Sequence, residues 1–84
     1  MFTVYVLYSV AYHKIYIGFT SNLAARLASH NAEKGKGYTH AFRPWEVIHT
    51  EHFSIKTEAQ KREKQLKSAK GREFVWNLVQ SSNN

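Results

Sequence analysis

A nearly continuous apolar run opens the chain. "FTVYVLYS", Phe2 to Ser9, is rich in β-branched and aromatic residues and reads as a strand. Period-two alternation puts Thr3, Tyr5 and Leu7 on one face and Val4, Val6 and Tyr8 on the other. After the short connection "AYHK", the segment "KIYIGFT" reads as a second strand, ending at Thr20. Two strands joined so closely predict an antiparallel hairpin. Tyr16 and Gly18 share one face of the second strand, Ile15 and Ile17 the other. A glycine near a strand end signals a bulge or a close approach of the backbone to another group.

The period then changes. Thr20 or Ser21 is placed to cap a helix from Asn22 to about Asn31. Leu23 and Leu27 form its apolar stripe, and Arg26 and His30, also four apart, share a different face. "AEKGKGYTHAFRP" is a basic, glycine-containing loop closed by Pro44. "WEVIHTEHF" predicts a third strand, with Trp45, Val47 and His49 alternating against Glu46, Ile48 and Thr50. "KTEAQKREKQLKSAKG" reads as the longest helix, with Thr57 and Gln60 as a capping box and Gly71 as its stop. "REFVWNLV" predicts a last short helix whose Phe74, Val75, Leu78 and Val79 face the core. The order β-β-α-β-α-α predicts a small α+β domain, a three-stranded antiparallel sheet flanked by helices.

One position disturbs this pattern. Ala59, Arg62, Glu63 and Leu66 fall on one helical face, which sets Glu63 on or beside the buried side. A carboxylate there needs a metal, a cleft or a partner such as Arg62, Lys67 or a loop lysine.

Eighty-four residues support one domain. Residues 1–80 are expected to form it and 81–84 a disordered polar tail. The chain has no cysteine, so it has neither disulfides nor a thiolate zinc site. The apolar N-terminal run lacks a basic flank and is too short to cross a bilayer. These features predict a cytoplasmic protein with no membrane partner. Twelve Lys and Arg against six Asp and Glu give a net charge of +6, which favours a polyanion such as nucleic acid. No glycine-rich phosphate loop, nucleophile elbow or paired-carboxylate motif is present, and the histidine spacing suggests no metal cluster.

Taken in order, the chemistry-bearing residues resemble the GIY-YIG nucleases. "TVY", Thr3 to Tyr5, stands where the first signature triplet belongs, with Thr3 in the place of its glycine, and "YIG", Tyr16 to Gly18, matches the second. Arg26 and His30 follow inside "NLAARLASHN", and Glu63 in "REKQLK" matches the metal-binding glutamate of a later helix. "RPWEVIHTEHFSIKTEAQKREKQLKSAKGREF" further resembles the small standalone members, likened to the incision subunit of bacterial excision repair.

The resemblance implies a metal-dependent endonuclease acting on DNA, duplex or branched, with links to repair or recombination and specificity from substrate structure or a protein partner. It implies Tyr5, Tyr16, Arg26, His30 and Glu63 as catalytic residues and Gly18 as structural support. Glu63 would hold one Mg²⁺ or Mn²⁺, with no small-molecule cofactor. Tyr5, Tyr16 and His30 each remain possible as the base. An asparagine supports the site in larger members, and Asn77 is the candidate here. Lys34, Lys36, Arg43, Lys61, Lys64 and Lys67 are candidate phosphate contacts, along with Lys70 and Arg72. The alternative is a nucleic-acid-binding module on the same fold with little turnover.

Overall fold

The computed structural model describes residues 1–32 and 37–82. Three strands form one antiparallel sheet: β1 (Phe2–Ser9), β2 (Lys14–Thr20) and β3 (Glu46–Phe53). Its spatial order is β2-β1-β3, so β1 is the central strand. The helices are α1 (Leu23–Asn31), α2 (Tyr38–Ala41), α3 (Lys56–Lys67) and α4 (Ala69–Ser82). The α+β class and the antiparallel hairpin are as expected from the sequence. The four-residue α2 lies inside the segment read as loop; a single turn carries too little periodicity to stand out.

Helices cover both faces of the sheet. Val4, Val6 and Ile17 pack on one face against Ala59 and Leu66 of α3 and Val75 of α4. Tyr5 and Leu7 form a second cluster on the other face with Trp45, and Leu23 and Leu27 of α1 pack against it. Burial on both faces explains why β1 is apolar at almost every position. Cross-strand pairing sets Tyr5 opposite Gly18 and Leu7 opposite Tyr16. The face that carries Tyr5 therefore also carries Gly18 and Tyr16.

Several boundaries differ from the sequence reading. Asn22, rather than Thr20 or Ser21, caps α1: its side chain accepts the Ala25 N–H at 3.1 Å. Thr20 accepts the Asn22 N–H and so fixes the cap itself. In β3, pairing skips from Val6–His49 to Leu7–Val47, leaving Ile48 as the extra residue of a bulge. The bulge resets the alternation, so Val47 packs on the Tyr5 face and Ile48 on the Val4 face. The expected sharing of a face by Val47 and His49 fails for that reason.

Thr57 is not the cap of α3. The helix begins two residues earlier than that cap would set it, at Lys56 behind Ile55, with no side-chain cap. Gly71 does not end it either. Ser68 makes the break, its hydroxyl donating to the Gln65 carbonyl at 2.5 Å and accepting the Gly71 N–H at 3.2 Å. Gly71 lies in the first turn of α4, where a Cβ would overlap the Gln65 carbonyl and the Leu66 backbone. Its role is close approach of two helices. Val75 and Val79 are buried as expected, but Phe74 is 41% exposed, with Arg62 over its ring at 5.8 Å. Helix α4 runs on to Ser82.

Candidate active site

A strand–turn–helix unit builds the site. β2 presents Tyr16 and Gly18, the Asn22 cap sets the direction of α1, and α1 returns His30 to the sheet after two turns. His30 is the buried residue of α1, and its Nε2 shares a 3.1 Å hydrogen bond with the Tyr5 hydroxyl. The Tyr16 ring lies 4.8 Å from the His30 ring and 6.3 Å from the Tyr5 ring, centroid to centroid. Gly18 makes this possible. A Cβ there would stand 2.7 Å from the Tyr5 hydroxyl oxygen and 3.2 Å from Tyr16 Cε1. The close approach suggested by the sequence is thus the phenol of Tyr5 lying over Gly18.

Asn31 locks the end of α1. Its Oδ1 accepts the Trp45 N–H at 2.6 Å and its Nδ2 donates to the Trp45 carbonyl at 3.0 Å. The Trp45 indole N–H donates to the Thr39 carbonyl, and its ring lies 6.4 Å from Tyr16. Asn31 and Trp45 were not singled out from the sequence. They are fourteen residues apart, and no local pattern signals so distant a pairing.

The electrostatics separate the titratable groups. Burial pushes the Tyr5 phenol above its ordinary value, as does neighbouring Tyr16. A hydrogen bond from Arg26 and its positive charge oppose that shift, while the Glu63 charge adds to it. Burial, then the Arg26 charge, lowers His30 below its ordinary value. At neutral pH Tyr5 is therefore a phenol and His30 a neutral imidazole.

Arg26 is exposed on α1, near enough for its charge to act on the Tyr5 phenol. Glu63 projects from α3 into a cavity of about 410 Å³ that it lines with Phe19, Thr57, Gln60, Lys61 and Lys64. Its side chain is 20% exposed and pairs with Lys67 across one turn at 3.5 Å, one of the partners anticipated from the sequence. The described residues contain no group of three His, Cys, Asp or Glu able to cage a metal. A single shielded carboxylate at an open cavity fits a magnesium-like ion, which keeps several waters and shares its shell with phosphate oxygens.

The candidate phosphate contacts divide. Lys61, Lys64 and Lys67 are exposed along α3, beside Glu63. Arg43 is half-buried, with its Nη1 donating to the His40 carbonyl at 3.0 Å, so it anchors α2. Lys34 and Lys36 lie outside the described residues. Asn77 is exposed on α4. Among the described residues, no helix is long and apolar enough to cross a membrane.

Two neighbouring tyrosines, a neutral histidine and a guanidinium gather on one side of a small α+β sheet, with a carboxylate on α3 whose charge acts on Tyr5. The chain belongs to the GIY-YIG family, a nuclease superfamily: the model of the GIY-YIG catalytic domain matches residues 1–77. It is similar to a UPF0213 protein of Staphylococcus haemolyticus, 45% identical over 67% of this chain and 68% of that one. A UPF0213 protein of Natronomonas pharaonis is 45% identical over 77% of this chain and 75% of its own. One from Bacillus velezensis is 39% identical over 75% and 67%.

Proposed function

We propose that this protein is a metal-dependent DNA endonuclease whose cleavage is guided by substrate structure or a partner, with a place in repair or recombination. The observation that carries this reading is the 3.1 Å Tyr5–His30 hydrogen bond beside Tyr16, on which the Arg26 charge acts. Phosphodiester hydrolysis needs a proton acceptor, a cradle for the growing phosphoryl charge and a neutralised leaving oxygen. As the attacking water gives a proton to the Tyr5 oxygen, Tyr5 passes its own proton to Nε2 of His30, neutral and held by α1, so the phenol stays protonated and the imidazole ends as the proton carrier. Arg26, whose charge acts on the Tyr5 phenol, offers its fork to two phosphate oxygens. Glu63 would hold one Mg²⁺ or Mn²⁺, which when bound supplies positive charge to the phosphate and lowers the pKa of a coordinated water. Lys61, Lys64 and Lys67 hold the backbone without reading sequence.

The test is nicking of supercoiled plasmid, and cleavage of branched oligonucleotides, with Mg²⁺ and with Mn²⁺. Wild type should cut with metal and Glu63→Ala should lose at least about 100-fold, the scale of removing one transition-state stabiliser. Equal metal-dependent cleavage by folded Glu63→Ala would remove Glu63 from the site. No cleavage of any substrate by wild type would favour a binding module.

A further inference from the structure

We propose that a second pocket, at the free edge of β2, binds an unpaired nucleotide, so that the substrate is DNA with a single-stranded arm beside the cut. This rests on the nuclease reading above and names the substrate class of that same site.

The cavity is about 560 Å³ and is lined by His13, Lys14, Tyr16, Lys67, Arg72 and Trp76 among others. That volume is in the range of small-molecule pockets. Three cations and an aromatic wall in one concavity match the two parts of a nucleotide, its phosphate and its base. The wall is already assembled. His13 lies against Trp76 with ring centroids 4.6 Å apart and planes at 37°. Tyr8 meets Trp76 edge-on and shares a 2.9 Å hydrogen bond with His13 Nδ1.

His13 provides an independent sign. It sits at the hairpin turn with φ of 53°, the only non-glycine residue with positive φ among those described. A left-handed residue with a Cβ is strained by roughly 1 kcal/mol. Asn or Gly would serve the turn more easily; an imidazole there projects over Trp76. The outer ring stays exposed, which the packing of a small core does not require.

The pocket also joins the site. Tyr16 lines it while its ring lies 4.8 Å from that of His30. Lys67 lines it while pairing with Glu63. A strand whose scissile phosphate lies at Tyr5, Arg26 and Glu63 would therefore run directly along the β2 edge. A paired base has no free face to offer His13 and Trp76, whereas an unpaired one does.

The test measures binding by fluorescence anisotropy in EDTA, so that no strand is cut. Probes are a blunt duplex, the same duplex with a five-nucleotide flap, and deoxythymidine monophosphate as competitor. His13→Gly keeps the left-handed turn accessible, and Trp76→Leu keeps an apolar side chain; thermal melts check that both fold. Wild type should prefer the flap by about 5- to 150-fold, the scale of base–aromatic stacking. Either variant should erase that preference while leaving duplex affinity within about two-fold. Equal binding of flap and duplex by wild type, or a preference that survives in both folded variants, would overturn the proposal and leave the nuclease reading standing. Binding to neither DNA would overturn both. Tight binding of the free mononucleotide with no flap preference would assign the pocket to a small ligand and overturn the proposal.

Discussion

Replacing Gly18 by alanine tests the architecture of the site with one methyl group. The new Cβ would meet the Tyr5 oxygen at 2.7 Å, its Cζ at 2.9 Å and Tyr16 Cε1 at 3.2 Å. Carbon contacts prefer about 3.5–4.0 Å, so Tyr5 must give way by nearly 1 Å. It has little room, being 1% exposed in the cluster with Leu7 and Trp45. Positive φ is not the reason for this glycine, since Gly37 is the described glycine that has it. The cost is therefore one of space, about 1–3 kcal/mol for overpacking a tight core. In a domain of this size that lowers Tm by roughly 4–8 °C for each kcal/mol. The displaced hydroxyl would also leave His30 Nε2, and a misplacement near 1 Å costs about 100-fold in rate. The assay is urea unfolding of Gly18→Ala, Tyr5→Phe and the double variant, with plasmid nicking alongside. Because the nearest clash is with the hydroxyl, the double variant should be more stable than the sum of the singles predicts, by at least about 0.5 kcal/mol. A Gly18→Ala protein within about 0.5 kcal/mol of wild type, with additive behaviour in the cycle, would refute the reasoning.

Two further expectations concern stability. Gly71→Ala should lower stability by about 3 kcal/mol, the upper end for overpacking, where an ordinary helical glycine would gain about 1 kcal/mol from the same change; a rise in Tm would show that α3 and α4 are not held so closely. Acid should weaken the fold in two steps, because both His30 and Glu51 titrate lower in the folded protein than in the unfolded chain. His30 contributes stability above its ordinary 6.5, and loses it as pH falls through its lowered value. Burial raises Glu51, but hydrogen bonds from Arg62 and His49 outweigh it, so its contribution holds above the ordinary 4.5 and fades below. Unfolding free energies from pH 7 to pH 3 check this: His30→Gln should flatten the first step and Glu51→Gln the second, and unchanged profiles would contradict the assignment.

What the sequence disclosed, and what it withheld, follows the range of the forces involved. Strands β1 and β2 were legible because β-branched and aromatic runs lie on either side of the short connection between Ser9 and Lys14. Pairing then followed from a short connection, but that Tyr5 shares a face with Tyr16 and Gly18 needed the register of the structure. Arg26 and His30 on one helix face came from spacing alone, but their meeting with Tyr5 did not. That contact spans twenty-five residues and depends on Asn31 gripping Trp45 across fourteen. Gly71 at a helix end is a good local signal, yet the close approach of α3 and α4 decided that boundary, whereas the capping box of Thr57 and Gln60 gave way to a start at Lys56 with no side-chain cap. Ser68 could cap α4 only because Gly71 lets α4 begin against α3, which turns one long helix into two and sets Arg72 and Trp76 beside Lys67. The same break that defeated the sequence reading thus builds the pocket at the β2 edge. A glycine read as punctuation is in this fold the condition for a binding surface.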